Sequence, residues 1–572
     1  MSTFLEFRKA KCRDCYKCLR ECPVKAIDIK DHQAKIIEDR CILCGHCTIA
    51  CPQNAKVVHS ELDDVRTLLQ GSDPVIASVA PSFISSFGLK DFTTFKIALA
   101  KLGFSDAEET AVGAQAVVEE YKKLLQTGEF DNFITSACPA ACRMIQEYYP
   151  KALKFLAPVD SPMIAHAKLI RKRIPGARVV FIGPCIAKMR EAEESGLVEN
   201  VLTYEDMVRF FDEKGIRLDE ITNVKFGGKG EKANLAKAFP INRGVIKSFD
   251  ILPDGYEYIA VDGPKHCAAT LGNIEHLHRV FLEINVCQDA CVNGPCSLEI
   301  KGGSIKATTD VREYVKREVT SLPCASPRIP EGISLAAAYP RIRNKGIPAP
   351  EAEIEAILRR TGKISPEDEL NCGACGYHSC REKAAAVYNG YADTELCIPY
   401  MRKRAESLSY EVMRNSPEGL IILDSDMKIV EVNRKGMELL GILEADVKGR
   451  PAVDFFQPVD FMIAYMEKKH VDCKQMFIPK SKKYIDISIN FLQGQDMLFG
   501  IMKDITESVN FDKELMKVKQ KTLATTDEVI KKQMRVAQEI ASLLGETTAE
   551  TKVALLKLKK TLTDDNNGNR EG

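Results

Sequence analysis

Cys12-x2-Cys15-x2-Cys18-x3-Cys22-Pro23 recurs 29 residues later as Cys41-x2-Cys44-x2-Cys47-x3-Cys51-Pro52, and no other feature restricts the fold so tightly. Three thiolates spaced by two residues sit on one tight loop that wraps a 4Fe–4S cubane, while the distant fourth cysteine of each run reaches the other cluster. Cys12, Cys15, Cys18 and Cys51 are therefore expected to hold one cubane, and Cys41, Cys44, Cys47 and Cys22 a second. Zinc is the competing use of four cysteines, but zinc ribbons do not carry this duplicated spacing. The whole chain has 21 cysteines in 572 residues. In a short secreted chain that density would mean disulfides. In a long chain whose Met1–Lys11 segment carries no signal-peptide pattern, ligands or catalytic thiols are expected, together with a cytoplasmic location.

Charge excludes other classes. Lys+Arg and Asp+Glu both number 80, so no basic surplus calls for a nucleic-acid partner. No run approaches the ~18–20 apolar residues of a membrane span.

After a linker at 70–74, residues 75–326 alternate short apolar runs with amphipathic stretches. PVIASVAPSF, FDNFITSA and ARVVFIGPC read as buried strands; Glu109–Leu125 and Pro162–Arg173 read as helices. Strands alternating with helices predict parallel sheets, whose ligand loops gather at the carboxyl ends of the strands. Cys138 and Cys185 both fall just after such a strand pattern. Pro323–Pro350 is proline-rich and reads as a connection. Cys372-x2-Cys375-x4-Cys380-x16-Cys397 then marks a small helical cysteine module, expected to hold a third 4Fe–4S cluster, with zinc as the alternative.

Three dispersed segments carry the remaining patterned cysteines. They are Thr135-Ser-Ala-Cys138-Pro139, Gly183-Pro-Cys185-x2-Lys188-x2-Glu191, and Glu283-x3-Cys287-x3-Cys291-Val-Asn-Gly294. Downstream of a two-cluster ferredoxin pattern, they resemble the signature segments of the FeFe-hydrogenase active-site domain over about residues 75–300. The resemblance implies that Cys138, Cys185, Cys287 and Cys291 ligate a hydrogen cluster, a cubane bridged through Cys291 to a diiron unit with CO, cyanide and azadithiolate ligands. It also implies that Lys188 binds cyanide, with Glu191 its neighbour. Ala137 stands where the catalytic members of the family place a proton-carrying cysteine. Gly183 and Asn285 stand where that family has methionines beside the diiron. Glu119 and Glu120 match an acidic relay pair, but Lys123 occupies the next acidic position. Cys142, Cys267, Cys296, Cys324 and Cys473 fit no pattern and are expected to be free thiols, Cys296 doubling as a proton-path candidate.

Residues 408–508 resemble a PAS domain, on NSPEGLIILD, on Asn433 in the EVNRKGMELLG helix, and on Asp504–Glu507. Nothing there points to a PAS cofactor. The polar tail carries Phe511, Leu515, Val518, Val529, Val536 and Leu543 at coiled-coil spacing, with a second amphipathic stretch after Gly545; a dimerising helical hairpin is expected.

The expected architecture is multidomain α/β and α+β. It comprises a two-cluster ferredoxin-like domain (1–70), a hydrogen-cluster domain (71–340), a single-cluster module (341–405), a PAS domain (406–508) and a helical output tail (509–572). The resemblance implies a slow, sensory FeFe-hydrogenase, closest to the PAS-containing sensory members. Implied partners are H2 and protons, a redox partner such as ferredoxin, hydrogenase maturases, a signalling kinase or phosphatase, and a second copy of the chain. The alternatives are a ferredoxin-linked catalytic hydrogenase with a non-standard proton relay, and an iron–sulfur scaffold lacking diiron.

Overall fold

The computed structural model describes residues 4–8, 11–30, 33–221, 235–321, 329, 331–343, 346–442, 447–492, 494, 496–544, 552–557 and 559. The chain divides into two compact units, Met1–Met401 and Arg402–Gly572.

In the first unit the cysteine repeat folds as a structural repeat. Leu5–Phe7 pairs antiparallel with Lys56–Val58, and Ile27–Lys30 with Gln33–Ile36. Asp14, Tyr16 and Lys25 are left-handed, and so are Leu43, Gly45 and Asn54, each 29 residues further on. Loops that turn thiols inward around a cluster need such φ > 0 positions, and here most are occupied by residues other than glycine.

Next come two parallel sheets. One has the order Asp106–Glu109, Val75–Val79, Arg178–Ile182, Asn200–Leu202; the other has the order Glu257–Asp262, Val280–Asn285, Phe133–Ile134. Val75–Val79 and Val280–Asn285 are buried along their whole lengths, as central parallel strands covered on both faces must be. Helices Ala111–Thr127 and Pro162–Arg173 pack on each other, with Gly113 allowing the approach: a Cβ there would lie 2.2 Å from the Pro162 carbonyl oxygen. Pro162–Arg173 is as expected, whereas Glu109 ends a strand and its helix begins at Ala111. The proline-rich connection also does more than connect. Ala336 bridges to Val159, Leu335 is buried, and Tyr339 donates to the Val159 carbonyl (2.8 Å).

The cysteine module contains helices Glu351–Arg360 and Cys380–Tyr388. It packs on the repeat domain: a Cβ on Gly376 (φ +87°) would lie 3.1 Å from the Leu19 carbonyl oxygen, and the Arg40 guanidinium sits 4.7 Å from the Tyr391 ring centre.

The second unit is a five-stranded antiparallel sheet, ordered Ile429–Val432, Gly419–Leu423, Met497–Asp504, Lys483–Leu492, Val471–Ile478. Helices Arg434–Leu440 and Val459–Glu467 accompany it. Asn433 caps the first, accepting from Gly436 N–H (2.7 Å) and Leu420 N–H (2.8 Å) and donating to the Glu418 carbonyl (2.9 Å). Helix Thr506–Leu544 follows as one element of 39 residues. The expected break at Gly545 lies outside the described residues; beyond it Lys559 pairs with Asp527 (3.1 Å). Among the described residues no helix is long and apolar enough to cross a membrane.

Candidate active site and cluster sites

Cys138, Cys185, Cys287 and Cys291 converge from both sheets. Cys138 follows strand Phe133–Ile134 and precedes Pro139, the first residue of helix Pro139–Tyr148. Cys185 follows Arg178–Ile182, Cys287 follows Val280–Asn285, and Cys291 lies on the turn after it. All four line one cavity with Ala137, Lys188, Asn285 and Cys44, enclosing about 940 Å³ of non-atom space with its mouth included. Burial pushes the Cys185 thiol up to about 11 and Cys287 well above its ordinary value. Thiolates at these positions therefore call for a cationic group to be ligated.

Lys188 is 7% exposed on this cavity wall. It donates to Ser161 Oγ (2.8 Å) and Glu191 Oε2 (2.6 Å), which uses two of its three N–H bonds. Glu191 also lines a smaller neighbouring cavity with Cys142, Arg190 and Tyr339. A Cβ on Gly183 would fall 2.7 Å from the Phe181 ring, so Phe181 fills the space that a longer side chain at 183 would take.

Glu120 does not line this cavity. It pairs with Lys123 (2.6 Å), and Glu119 pairs with Lys122 (2.9 Å), which also holds Asp250. Cys296 is buried but is likewise not among the cavity residues; Cys267 donates to the Asn285 carbonyl (3.3 Å). Cys324 lies outside the described residues.

The other cysteine sets also gather. Cys22, Cys41, Cys44 and Cys47 line a cavity of about 360 Å³, so Cys44 faces both this space and the larger one. Gly45 abuts Pro295, where a Cβ would meet the ring at 2.3 Å, fixing the repeat domain against the loop after Cys291. Cys18 feels the charges of Lys56, Cys51 and Cys12. Ala26 and Ala55 N–H groups donate to Cys22 (3.3 Å) and Cys51 (3.4 Å), one bond in each half of the repeat. In the module, Cys375 feels Lys383, Cys397 and Cys372, and Lys363 donates to Cys397 Sγ (3.3 Å). Cys380 opens its helix, its N–H donating to Asn371 Oδ1 (2.8 Å).

Residues that the sequence reading missed lie behind the cavity wall. Thr110 lines the cavity, and its Oγ1 is 2.8 Å from Ser78 Oγ, which is 2.8 Å from His166 Nδ1. Tyr339, from the proline-rich connection, was equally unforeseen. Neither group carries a spacing signal, because each is assembled from separate elements.

Comparison with known proteins agrees with this layout. Residues 73–295 match the iron-only hydrogenase large subunit, C-terminal domain; 11–55 match a 4Fe-4S dicluster domain; 368–399 match an Fe–S cluster model; and 407–470 match a PAS domain. Iron hydrogenase 1 of Clostridium pasteurianum is 24% identical over 375 residues, covering 47% of this chain and 65% of its own length. The periplasmic Fe hydrogenase large subunit of Nitratidesulfovibrio vulgaris is 28% identical over 318 residues, covering 48% and 76%. A solved chain of the FeFe-hydrogenase HydA1 from Chlamydomonas reinhardtii aligns over 46% of this chain and 91% of its own at 18% identity, with a TM-score of 0.40. The chain is thus a multidomain, FeFe-hydrogenase-like iron–sulfur protein that carries a PAS domain.

Proposed function

We propose that this is a sensory FeFe-hydrogenase, which reacts slowly with H2 at a hydrogen cluster and relays its redox state through 4Fe–4S clusters to the PAS domain and helical tail. The observation that carries the reading is the cavity in which four partly buried cysteines meet the buried Lys188 while position 137 is alanine. Soft thiolates suit a cubane. When bound, the cofactor supplies the hydrogen-activating chemistry, and the protein supplies ligation, protons and electron routes.

Lys188 keeps one N–H to donate into the cavity, where an anionic ligand such as cyanide would accept it. Ala137 has no titratable proton, so the thiol route of fast hydrogenases is closed. Electrons would leave through the cluster of Cys22, Cys41, Cys44 and Cys47, since Cys44 faces both cavities. The proposed limits are 1–70, 71–340, 341–405, 406–508 and 509–572, and the proposed partners are ferredoxin, maturases, a kinase or phosphatase, and a second copy. A reducing, cytoplasmic setting suits this many unpaired thiols.

Infrared spectroscopy of maturase-treated protein under H2 tests the reading. CO and cyanide bands that shift with H2, at low turnover, are expected. Their absence would leave an iron–sulfur scaffold; bands with rapid turnover would mean a working, ferredoxin-linked hydrogenase.

A further inference from the structure

Behind the cavity wall a chain of hydrogen bonds runs from the cavity to the protein surface. Thr110 Oγ1 contacts Ser78 Oγ (2.8 Å), Ser78 Oγ contacts His166 Nδ1 (2.8 Å), and His166 Nε2 contacts Glu108 Oε2 (3.3 Å). The other Glu108 oxygen accepts from Arg173, whose side chain is 33% exposed. Ser78, Glu108, Thr110 and His166 are all buried. They come from four places: strand Val75–Val79, strand Asp106–Glu109, the residue before helix Ala111–Thr127, and helix Pro162–Arg173. A buried imidazole held at both nitrogens, with hydroxyls leading to a cavity on one side and an ion pair leading to solvent on the other, is more than packing requires.

We infer that Thr110, Ser78, His166 and Glu108 form a proton relay serving this cavity, in place of the thiol missing at position 137; the inference rests on the hydrogenase reading above. The ring starts as the Nδ1–H tautomer, with Nε2 facing Glu108. Its Nδ1–H bond breaks as an O–H bond forms on Ser78, Ser78 passes its own hydroxyl proton to Thr110, and Thr110 releases one into the cavity. No electron moves, and one proton crosses. As the Nδ1–H bond breaks, an N–H bond forms at Nε2 with a proton taken from Glu108, itself buried and paired with the partly exposed Arg173, and the ring must return to the Nδ1–H tautomer before a second proton can pass. Burial alone would raise Glu108, but hydrogen bonds from His166 and Arg173 outweigh it and hold the carboxyl at about 2. A carboxylate that acidic rarely carries a proton at neutral pH, so the relay reloads slowly. Slow reloading suits a detector that needs one event rather than continuous turnover.

Ser78→Ala and Thr110→Val each delete one hydroxyl at nearly constant volume, and Thr110→Ser restores one. All are made in the full-length, maturase-treated protein. Infrared CO and cyanide bands first establish that the cofactor is assembled. The rate at which the bands of the proton-bearing state appear after a jump in potential is then followed in H2O and D2O. Ser78→Ala and Thr110→Val should slow that rate at least tenfold, Thr110→Ser should keep it, and the reduction rate of the accessory clusters should not change. Unchanged proton-linked rates in Ser78→Ala and Thr110→Val would overturn the relay while leaving the hydrogenase reading intact. Absence of CO and cyanide bands from the unsubstituted protein would overturn both.

Discussion

Ala137 lines the cavity, so a thiol placed there would face the space that the four cysteines and Lys188 enclose, where the proposed cofactor would accept its proton. Ala137→Cys should therefore raise H2 evolution, by about a hundredfold if proton delivery limits the rate. If the variant assembles its cofactor and gains nothing, Gly183 and Asn285 become the suspects through their effect on the diiron surroundings. A second residue gives the protein a pH signature. Glu283 is fully buried, and burial raises it to about 7, although the N–H groups of Gly244 (3.1 Å) and Ile246 (3.0 Å) donate to it. An acid whose folded pKa lies above its unfolded value binds more protons when folded. Stability should thus fall as pH rises from about 4.5 to 7, by up to about 3 kcal/mol. Glu283→Gln should flatten that fall, read as thermal midpoints at pH 5.5 and 7.5; parallel curves for the two proteins would refute it. At this scale the two N-terminal cysteine runs and the Cys372–Cys397 module stand out as patterns because their spacing is local, whereas Cys138, Cys185, Cys287 and Cys291 are dispersed in sequence and share one cavity only through the fold. Ser78, Glu108 and His166 were not legible, because only the fold brings them within hydrogen-bond reach.

Between elements, the position of the cysteine module could not be read from its spacing. It follows the hydrogen-cluster segment in sequence, which invites a linear wire toward the C-terminus. In the fold it rests instead on the repeat domain, through Gly376 on Leu19 and Tyr391 on Arg40. Lys25, 8% exposed, lies where it feels both Cys22 of the repeat and Cys375 of the module. Burial lowers its pKa, and the neighbouring thiols oppose that. A cation shared by two clusters favours the reduced state of each. Lys25→Met should lower both potentials by about 1–2 kcal/mol, on the order of 50 mV for a one-electron couple. Potentiometric EPR checks this; a variant that moves neither potential would mean the ammonium is screened. Element types were mostly legible, since buried parallel strands are continuous apolar runs and Pro162–Arg173 has helical periodicity. Strand Val471–Ile478 and helix Val459–Glu467 were missed. The helix keeps Val459, Met462, Ile463 and Met466 exposed, which blurs its amphipathic pattern.

For the whole molecule, the proposed reading assigns the sixteen patterned cysteines to four cubanes, one of them in a hydrogen cluster with a diiron unit, and so predicts about 18 irons per chain after reconstitution and maturation. Zinc bound by the Cys372–Cys397 module would lower that count and refute its cluster. The output end makes the further demand. Helix Thr506–Leu544 exposes Phe511, Leu515, Val518, Val529 and Val536 along its length, and among the described tail residues no histidine is present to accept a phosphoryl group. The tail therefore signals, on the proposed reading, by binding a partner whose affinity depends on cluster redox state. A redox change can shift that equilibrium only through differential contacts, typically about 1–3 kcal/mol, or 5- to 150-fold in affinity. Deleting 509–572 should leave the H2-dependent infrared spectrum intact, because every cysteine of the cavity and cluster sets precedes residue 398. It should also abolish H2-dependent capture of the kinase or phosphatase. If the truncated chain still binds the partner with the same response to H2, the exposed apolar stripe is not the output surface, and the PAS domain or the cysteine module carries the signal.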